Sequence, residues 1–245
     1  MSTQLDPVSL SADLLYVVTT AGGTPGELCD RLATLERAQV ARALSSREAK
    51  LAFWLNCYNA SVQLRLESES ESPGGSRLER WKFRTRDRVP IAGRWLSLND
   101  IEHGLLRRSK HPWGLGYVPR LFPSSFERQF RLPECDPRIH FALSQGAENC
   151  PPIAVYSPAD VDEELDIAVE WYVEENTEYD PDTDTVTIPR LFRRYQGDFG
   201  GPDGIVSFLE EYNGIPAGSS PTLEYGTPER TEAVDIDGEA DTLRP

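Results

Sequence analysis

The stretch DPRIHFALSQGAENCPP, residues 136–152, holds the two side chains of this sequence that are best suited to chemistry at neutral pH, His140 and Cys150. The turn-rich residues SQGAEN lead from the histidine side to the cysteine. Pro151 lacks an amide hydrogen and favours an extended backbone for the residue before it. We therefore expect Cys150 to be held in a stiff loop and not inside a helix.

The first half of this stretch alternates between apolar residues and smaller or polar ones. A period of two predicts a strand, with His140 on the face opposite the apolar side chains. That apolar face would hold Ile139, Phe141 and Leu143. A structural interpretation stands beside the chemical one, because a free cysteine usually packs in a core and a strand histidine is usually satisfied by its neighbours.

The whole chain is acidic. Its 245 residues include 40 Asp and Glu against 25 Lys and Arg, which gives a formal net charge of -15. Such a charge argues against nucleic acid and anionic membranes as partners. We expect a small-molecule or peptide ligand of unknown identity, and the sequence leaves the oligomeric state open. The N-terminus lacks the pattern of a signal peptide and no apolar run is long enough to span a membrane, so we expect a cytoplasmic protein.

The scarcity of lysine suggests a protein that works in high salt. Only Lys50, Lys82 and Lys110 are lysines, and the other basic residues are arginines. An abundance of surface acid with few lysines leads to the hypothesis of a halophilic source. We expect the melting temperature to rise as KCl is added, because salt screens the repulsion among the carboxylates. Equal thermal stability in dilute buffer would contradict this hypothesis.

The cysteines predict neither a disulfide framework nor a zinc site. Cys29, Cys57, Cys135 and Cys150 are widely spaced, so we expect reduced thiols. No CxxC pair is present, which argues against structural zinc. A metal held by Cys135, His140 and Cys150 is a minor alternative. Since a phosphate-binding P-loop and a GxGxxG motif are also absent, we expect no cofactor.

Residues 46–67 form the strongest predicted helix. Ser45 or Ser46 can cap it, and residues 51–64 include no charged side chain, which predicts a helix that is buried nearly all round. Polar amides share one face of it at helical spacing, and they are Asn56, Asn59 and Gln63. Buried amides need hydrogen-bond partners. They are expected either to brace a neighbouring loop or to take part in the site.

A hairpin and a capped helix follow the polar linker at 69–77. The apolar residues at 89–91 and 95–96 flank an Ala-Gly turn. Residues 97–100 then resemble a capping box at the start of a helix that carries Glu102 and His103. Adjacent side chains on an α-helix point apart. We therefore expect His103 to lie at the surface or to support the site from behind.

The rest of the chain predicts helices around a small sheet. Residues 8–50 have the pattern of amphipathic helices. Residues 110–133 have the pattern of an ordered loop with a short helix near 125–130, and we expect this loop to wall a pocket. Helices are expected after 157, 189 and 205, and a strand at 185–188. We predict a single α+β domain over residues 1–216, mainly helical around a small, mainly antiparallel sheet, and a disordered acidic tail at 217–245.

Several motifs, in this order, resemble the domain of unknown function family 547. They are FWLNCYNA, LSLNDIEHGLLR, DPRIHFALSQGAENCPP and IPRLFRRYQGDFG, within residues 51–212. The resemblance implies a fold and no established activity. The family's recurrent polar positions correspond here to Asn56, Asn59, Glu102, His103, His140 and Cys150. Family members usually have Asn-Cys where this chain has Ser144 and Gln145, so only one cysteine remains in the loop for chemistry.

Two functions compete. In the first, a thiol-dependent hydrolase or transferase uses Cys150 as the nucleophile and His140 as the base, with Asn56 or Glu102 orienting the imidazole and His103 close by. Residues expected to support this site from behind are Asn59, Gln63, Tyr195 and Asp198. In the second, these side chains only hold the loop in place, and the protein is a non-catalytic binding module whose aromatic loop contacts a partner.

Overall fold

The N-terminal half is a set of helices packed around one buried helix. The computed structural model describes residues 6–20, 23–68, 82–144 and 153–226. Its first helices are α1 (Pro7–Thr20), α2 (Pro25–Thr34), α3 (Arg37–Ala43) and α4 (Arg47–Ser68). Every residue of α4 from 51 to 62 is buried, as the absence of charge predicts. The hydroxyl of Ser46 caps α4 by accepting a hydrogen bond from the amide of Ala49 at 3.1 Å.

The predicted hairpin is present and leads into a π-helix. Strands β1 (Asp87–Ile91) and β2 (Arg94–Ser97) pair antiparallel, and Ala92 and Gly93 form the turn with φ of 49° and 71°. Positive φ at both central residues is the geometry of a type I′ hairpin. Ser97 and Asp100 then exchange hydrogen bonds between side chain and backbone, as a capping box does. The π-helix spans Asp100–Leu106.

The segment around His140 is helical, and the prediction of a strand there is wrong. After α5 (Ser125–Phe130), the chain forms the short helix α6 (Ile139–Ala142). Asp136 starts this turn by accepting a hydrogen bond from the amide of Arg138 at 3.0 Å. All residues from 139 to 144 are buried, so the alternation of apolar and polar side chains does not separate an inner face from an outer face.

The C-terminal half is a helix and sheet layer. Its elements are α7 (Val161–Asn176), β3 (Glu178–Asp180), β4 (Thr185–Ile188), α8 (Arg190–Arg194), α9 (Pro202–Glu211) and β5 (Thr222–Tyr225). Strand β4 pairs antiparallel with β3 and parallel with β5. The described residues therefore form an α+β fold that is mainly helical, with two small sheets. Strand β5 lies where the sequence predicts a disordered tail, so the ordered fold continues past residue 216.

Two clusters of buried apolar side chains meet at α6. Ile139 belongs to the cluster built on α1, α4 and the hairpin, whereas Phe141 belongs to the cluster of α7, β4, α8 and α9. His140 lies between them in the sequence and is placed at their junction. An ion-pair network fixes this junction, because Arg138 contacts the carboxylates of Asp136, Asp162 and Asp166.

Candidate functional site

The centre of the site is a buried pair formed by His140 and Asp198. The Nε2 atom of His140 lies 2.9 Å from Oδ2 of Asp198, and the two side chains are 1% and 0% exposed. The same carboxylate oxygen accepts a hydrogen bond from Nε of Arg107 at 2.6 Å. Asp198 is therefore the group that orients the imidazole. The expectation that Asn56 or Glu102 would do so is wrong.

The surroundings of His140 keep its imidazole neutral. Burial lowers the pKa of His140, and this effect exceeds the opposing effect of the hydrogen bond to Asp198. Burial alone would raise the pKa of Asp198, but its contacts with His140 and Arg107 hold that pKa below the ordinary value. At neutral pH a neutral imidazole therefore donates Nε2–H to a carboxylate. Among the described residues, no side chain or backbone group makes a hydrogen bond to Nδ1, which is left as the basic nitrogen.

The ring of Tyr195 connects His140 to a second charged group. Tyr195 stacks against the imidazole with ring centroids 3.8 Å apart, and its hydroxyl donates a hydrogen bond to Oε1 of Glu102 at 2.7 Å. The guanidinium of Arg107 lies 4.6 Å from the centroid of the same ring. Burial, followed by the charge of Glu102, raises the pKa of Tyr195 to about 12, so its hydroxyl remains a donor at neutral pH.

Glu102 is a buried anion within an ion pair. Its Oε2 atom contacts Nη2 of Arg84, and its side chain is 2% exposed. Burial would raise the pKa of Glu102, but Arg84 and further cations hold it well below the ordinary value. A carboxylate with this pKa is a poor proton donor or acceptor at neutral pH. Glu102 instead fixes Tyr195, and through that ring it supports His140.

The π-helix brings His103 into the same network. The amide of Arg107 donates to the carbonyl of Glu102, five residues earlier, at 2.8 Å. Because a π-helix has more residues per turn than an α-helix, adjacent side chains diverge less, and Nδ1 of His103 lies 3.5 Å from Oε1 of Glu102. His103 is 2% exposed, so of the two positions expected for it, at the surface or behind the site, the surface is excluded. Burial lowers its pKa to about 3.

The amides of α4 hold the two ends of the loop that carries Cys150. Asn56 accepts a hydrogen bond from the amide of Tyr156 and donates one to its carbonyl, both at 2.9 Å. Asn59 donates to the carbonyl of Ala142 at 3.0 Å and accepts from the amide of Ser144 at 2.9 Å. Of the two roles predicted for these amides, the contacts are those of a loop brace. Gln63, one turn further along α4, is half-buried.

Cys150 lies outside the described residues, together with its neighbours from 145 to 152. The described ends of this loop border a cavity of about 290 Å³ between α6 and α7. Its walls are mainly apolar and include Leu143, Ile153, Ile167 and Trp171. The described residue before the loop, Ser144, thus lies four positions after His140, and both described ends of the loop border the apolar cavity.

The described cysteines are unsuited to nucleophilic chemistry. Cys29, Cys57 and Cys135 are free thiols. Burial raises the pKa of each one, and at Cys135 the charge of Asp198 adds to that effect. A thiol with a raised pKa is protonated at neutral pH and reacts slowly. Within the described parts of the chain, no group of three or more His, Cys, Asp or Glu side chains is arranged to hold a metal ion.

The sequence did not predict the ion pairs made by Arg84, Arg107 and Arg138, and it indicated Asp198 only as a residue that supports the site from behind. One signal for Asp198 was available in the sequence QGDFGG. A Cβ atom at Gly197 would lie 2.6 Å from the carbonyl carbon of Gly116, so only glycine permits the close approach of these two backbone segments. Gly197, directly before Asp198, therefore indicates that the loop after the π-helix packs closely against Asp198.

A search against protein families identifies the chain. Residues 42–173, more than half of its length, match the family described as "Protein of unknown function, DUF547". The chain belongs to this family. The match confirms the resemblance seen in the sequence motifs, and it ends before Tyr195 and Asp198, which the structure nevertheless brings to His140 and Glu102. Searches of curated proteins and of solved structures returned no match. Among the described residues, no helix is both long and apolar enough to cross a membrane.

Proposed function

We propose that this protein is a thiol-dependent hydrolase or acyltransferase in which Cys150 is the nucleophile and His140 is the general base. The observation that carries this proposal is the buried hydrogen bond between His140 and Asp198. A neutral imidazole that donates Nε2–H to a carboxylate has a defined tautomer, with Nδ1 ready to accept a proton. Such a pair has the two roles, base and orienting group, that nucleophilic catalysis requires.

The proposed reaction begins with transfer of the Cys150 thiol proton to Nδ1 of His140. The thiolate then adds to the carbonyl carbon of an ester, thioester or amide, and the carbonyl electron pair moves onto oxygen. When the carbonyl re-forms, the bond to the leaving group breaks, and the imidazolium returns the proton to that group. Water or an acceptor alcohol or amine then cleaves the resulting thioester with the same base.

The carboxylate of Asp198 stabilises the imidazolium formed in the first step. Because Arg107 also binds this oxygen, the carboxylate is fixed in place before the proton moves. The brace made by Asn56 and Asn59 supports the proposal in a second way. It fixes both ends of the cysteine loop to the buried helix α4, which restricts where the nucleophile can lie.

The test is the rate of Cys150 alkylation by iodoacetamide as a function of pH, followed by peptide-resolved mass spectrometry. We expect the rate to reach a plateau well below about pH 8, since the neutral imidazole of His140 can already accept the thiol proton there. His140→Gln should lower the rate near pH 7 by about tenfold or more, because it removes the base. The glutamine amide retains a donor for Asp198. Cys29 in the same digest is the control, and its rate should be unchanged.

A steady rise of the Cys150 rate through about pH 8 to 9, equal in wild type and His140→Gln, would contradict the proposal. That outcome would favour the second candidate, a non-catalytic binding module. The observation that favours a binding module is the exposed apolar loop after the π-helix, where Trp113 is 81% and Phe122 is 93% exposed. Exposed aromatic side chains of this kind are typical of interaction surfaces.

A further inference from the structure

The segment between the π-helix and α5 exposes an apolar surface. We refer to residues 108–123 as the aromatic loop. Its exposed large apolar side chains are Trp113, Leu115, Tyr117, Val118, Leu121 and Phe122. Single exposed apolar residues are common in proteins, whereas six within ten residues form a patch of the kind that marks a contact surface. The loop is nevertheless ordered, since the amide of His111 donates to the carbonyl of Val118 at 2.7 Å.

The charge around the aromatic loop is opposite to that of the whole protein. Residues 104–133 include six basic residues and one acidic residue in a chain whose net charge is -15. The acidic residue, Glu127, is buried and lies 3.5 Å from Arg120. Arg108 and Arg128 are exposed, and in the sequence they precede and follow the apolar residues of the patch. This combination of cations and apolar side chains fits an occupant that is both acidic and partly apolar.

The described part of the chain ends beside this loop. The hydroxyl of Tyr225 accepts a hydrogen bond from Nε2 of Gln196 at 3.4 Å, and Gly226 is the last described residue. The neighbour of Gln196, Gly197, packs directly against the backbone of Gly116 and Tyr117 in the aromatic loop. The next residues along the chain therefore start close to the loop.

The sequence that follows has the matching chemistry. Residues 227–245 include six acidic residues and two arginines, and the acidic side chains alternate with Val234 and Ile236. A random-coil chain of the same length, 19 residues, would have a root-mean-square span of roughly 24 Å. Attachment at Gly226 holds it near the loop at an effective concentration in the millimolar range, so even a weak contact would be populated.

We propose that residues 227–245 dock on the aromatic loop of the same molecule. Acidic side chains of this segment pair with Arg108 and Arg128, and Val234 and Ile236 cover part of the patch around Trp113. The proposal is independent of the function of Cys150. It assigns the exposed apolar surface to an intramolecular contact, in preference to a second copy of the chain or a membrane.

The test is hydrogen–deuterium exchange of the 245-residue chain at low ionic strength. The main variant neutralises the six acidic side chains of the segment, and its substitutions are E229Q, E232Q, D235N, D237N, E239Q and D241N. We expect amides at 111–122 to exchange about five- to tenfold faster in this variant than in wild type, because the covering segment is released. Peptides from α4 should exchange equally in both proteins, which shows that the fold is intact.

A change on the loop side should have the same effect. Arg108→Gln combined with Trp113→Ser removes one cation and one apolar contact, and it should accelerate exchange at 115–122. Tyr16→Ser is the matched control, because Tyr16 is an aromatic residue on α1 that is 60% exposed. That control should leave exchange in the aromatic loop unchanged.

Three results would overturn the proposal. The first is equal exchange of the loop in wild type and the neutralised variant. The second is protection that increases with protein concentration, which would assign the surface to a second copy. The third is protection that requires phosphatidylserine vesicles and is the same in both proteins, which would assign it to an anionic membrane.

Discussion

Asp198→Asn is expected to lower the free energy of unfolding by about 3–5 kcal/mol, the cost of leaving a buried charge without its partner. The substitution retains the shape of the side chain and removes its charge. Arg107 is fully buried and lies 2.6 Å from the carboxylate, so its guanidinium would lose its compensating charge without gaining access to water. Urea denaturation at neutral pH, monitored by tryptophan fluorescence, measures the change.

The control is Asp166→Asn, which neutralises a carboxylate that is 45% exposed and paired with Arg138. An ion pair with that much solvent contact contributes little, so the loss should be below about 1 kcal/mol. In the double variant Asp198→Asn with Arg107→Met, the destabilisation should be smaller than the sum of the two single effects. Additive effects would mean that Asp198 and Arg107 do not stabilise each other.

The helical framework was predictable because its signals are local. Ser46 caps α4 by accepting a hydrogen bond from the amide of Ala49, only three residues away. The Ala92–Gly93 turn needs only positive φ at two adjacent positions. The short segment at 139–142 was not predictable from its alternation. Its first turn depends on the carboxylate of Asp136, and its burial comes from two clusters that lie on either side of it.

The pairings in the site were less predictable than its residue types. The sequence indicates His140, Glu102, Tyr195 and Asp198, but contacts such as the one between His140 and Asp198 join residues 58 positions apart. On an α-helix the side chains of Glu102 and His103 would also point apart, whereas on the π-helix they contact each other. The hydrogen-bond pattern that distinguishes these two helices has no simple signature in composition or spacing.

The second large effect is expected in acid, where His103 should make the protein lose stability before its carboxylates are protonated. Burial lowers the pKa of His103 to about 3 in the folded protein, whereas an unfolded histidine titrates near about 6.5. As the pH falls below the unfolded value, the unfolded state binds a proton that the folded state does not. His103 should thus cost about 2 kcal/mol of unfolding free energy between about pH 7 and pH 5.

His103→Asn removes this titration. An asparagine Oδ1 lies close to the position of Nδ1, so it can still accept the hydrogen bond that Arg107 donates to His103 at 2.8 Å. We expect the unfolding free energy of the variant to depend less steeply on pH than that of wild type, by about 1 kcal/mol per pH unit in the lower part of this range. The remaining slope belongs to His140, whose pKa is also lowered by burial.

His111→Asn provides the matched control, because it makes the same chemical change at an exposed histidine. Its unfolding free energy should follow the wild-type pH dependence. The range above about pH 5 isolates the histidines, since the pKa values of Glu102 and Asp198 lie below their ordinary values and their contribution is lost only at lower pH. Parallel pH profiles of wild type and His103→Asn would contradict this prediction. They would mean that His103 takes up its proton over the same pH range in the folded protein as in the unfolded chain. The buried network around Glu102 would then hold one more positive charge in acid than its contacts imply.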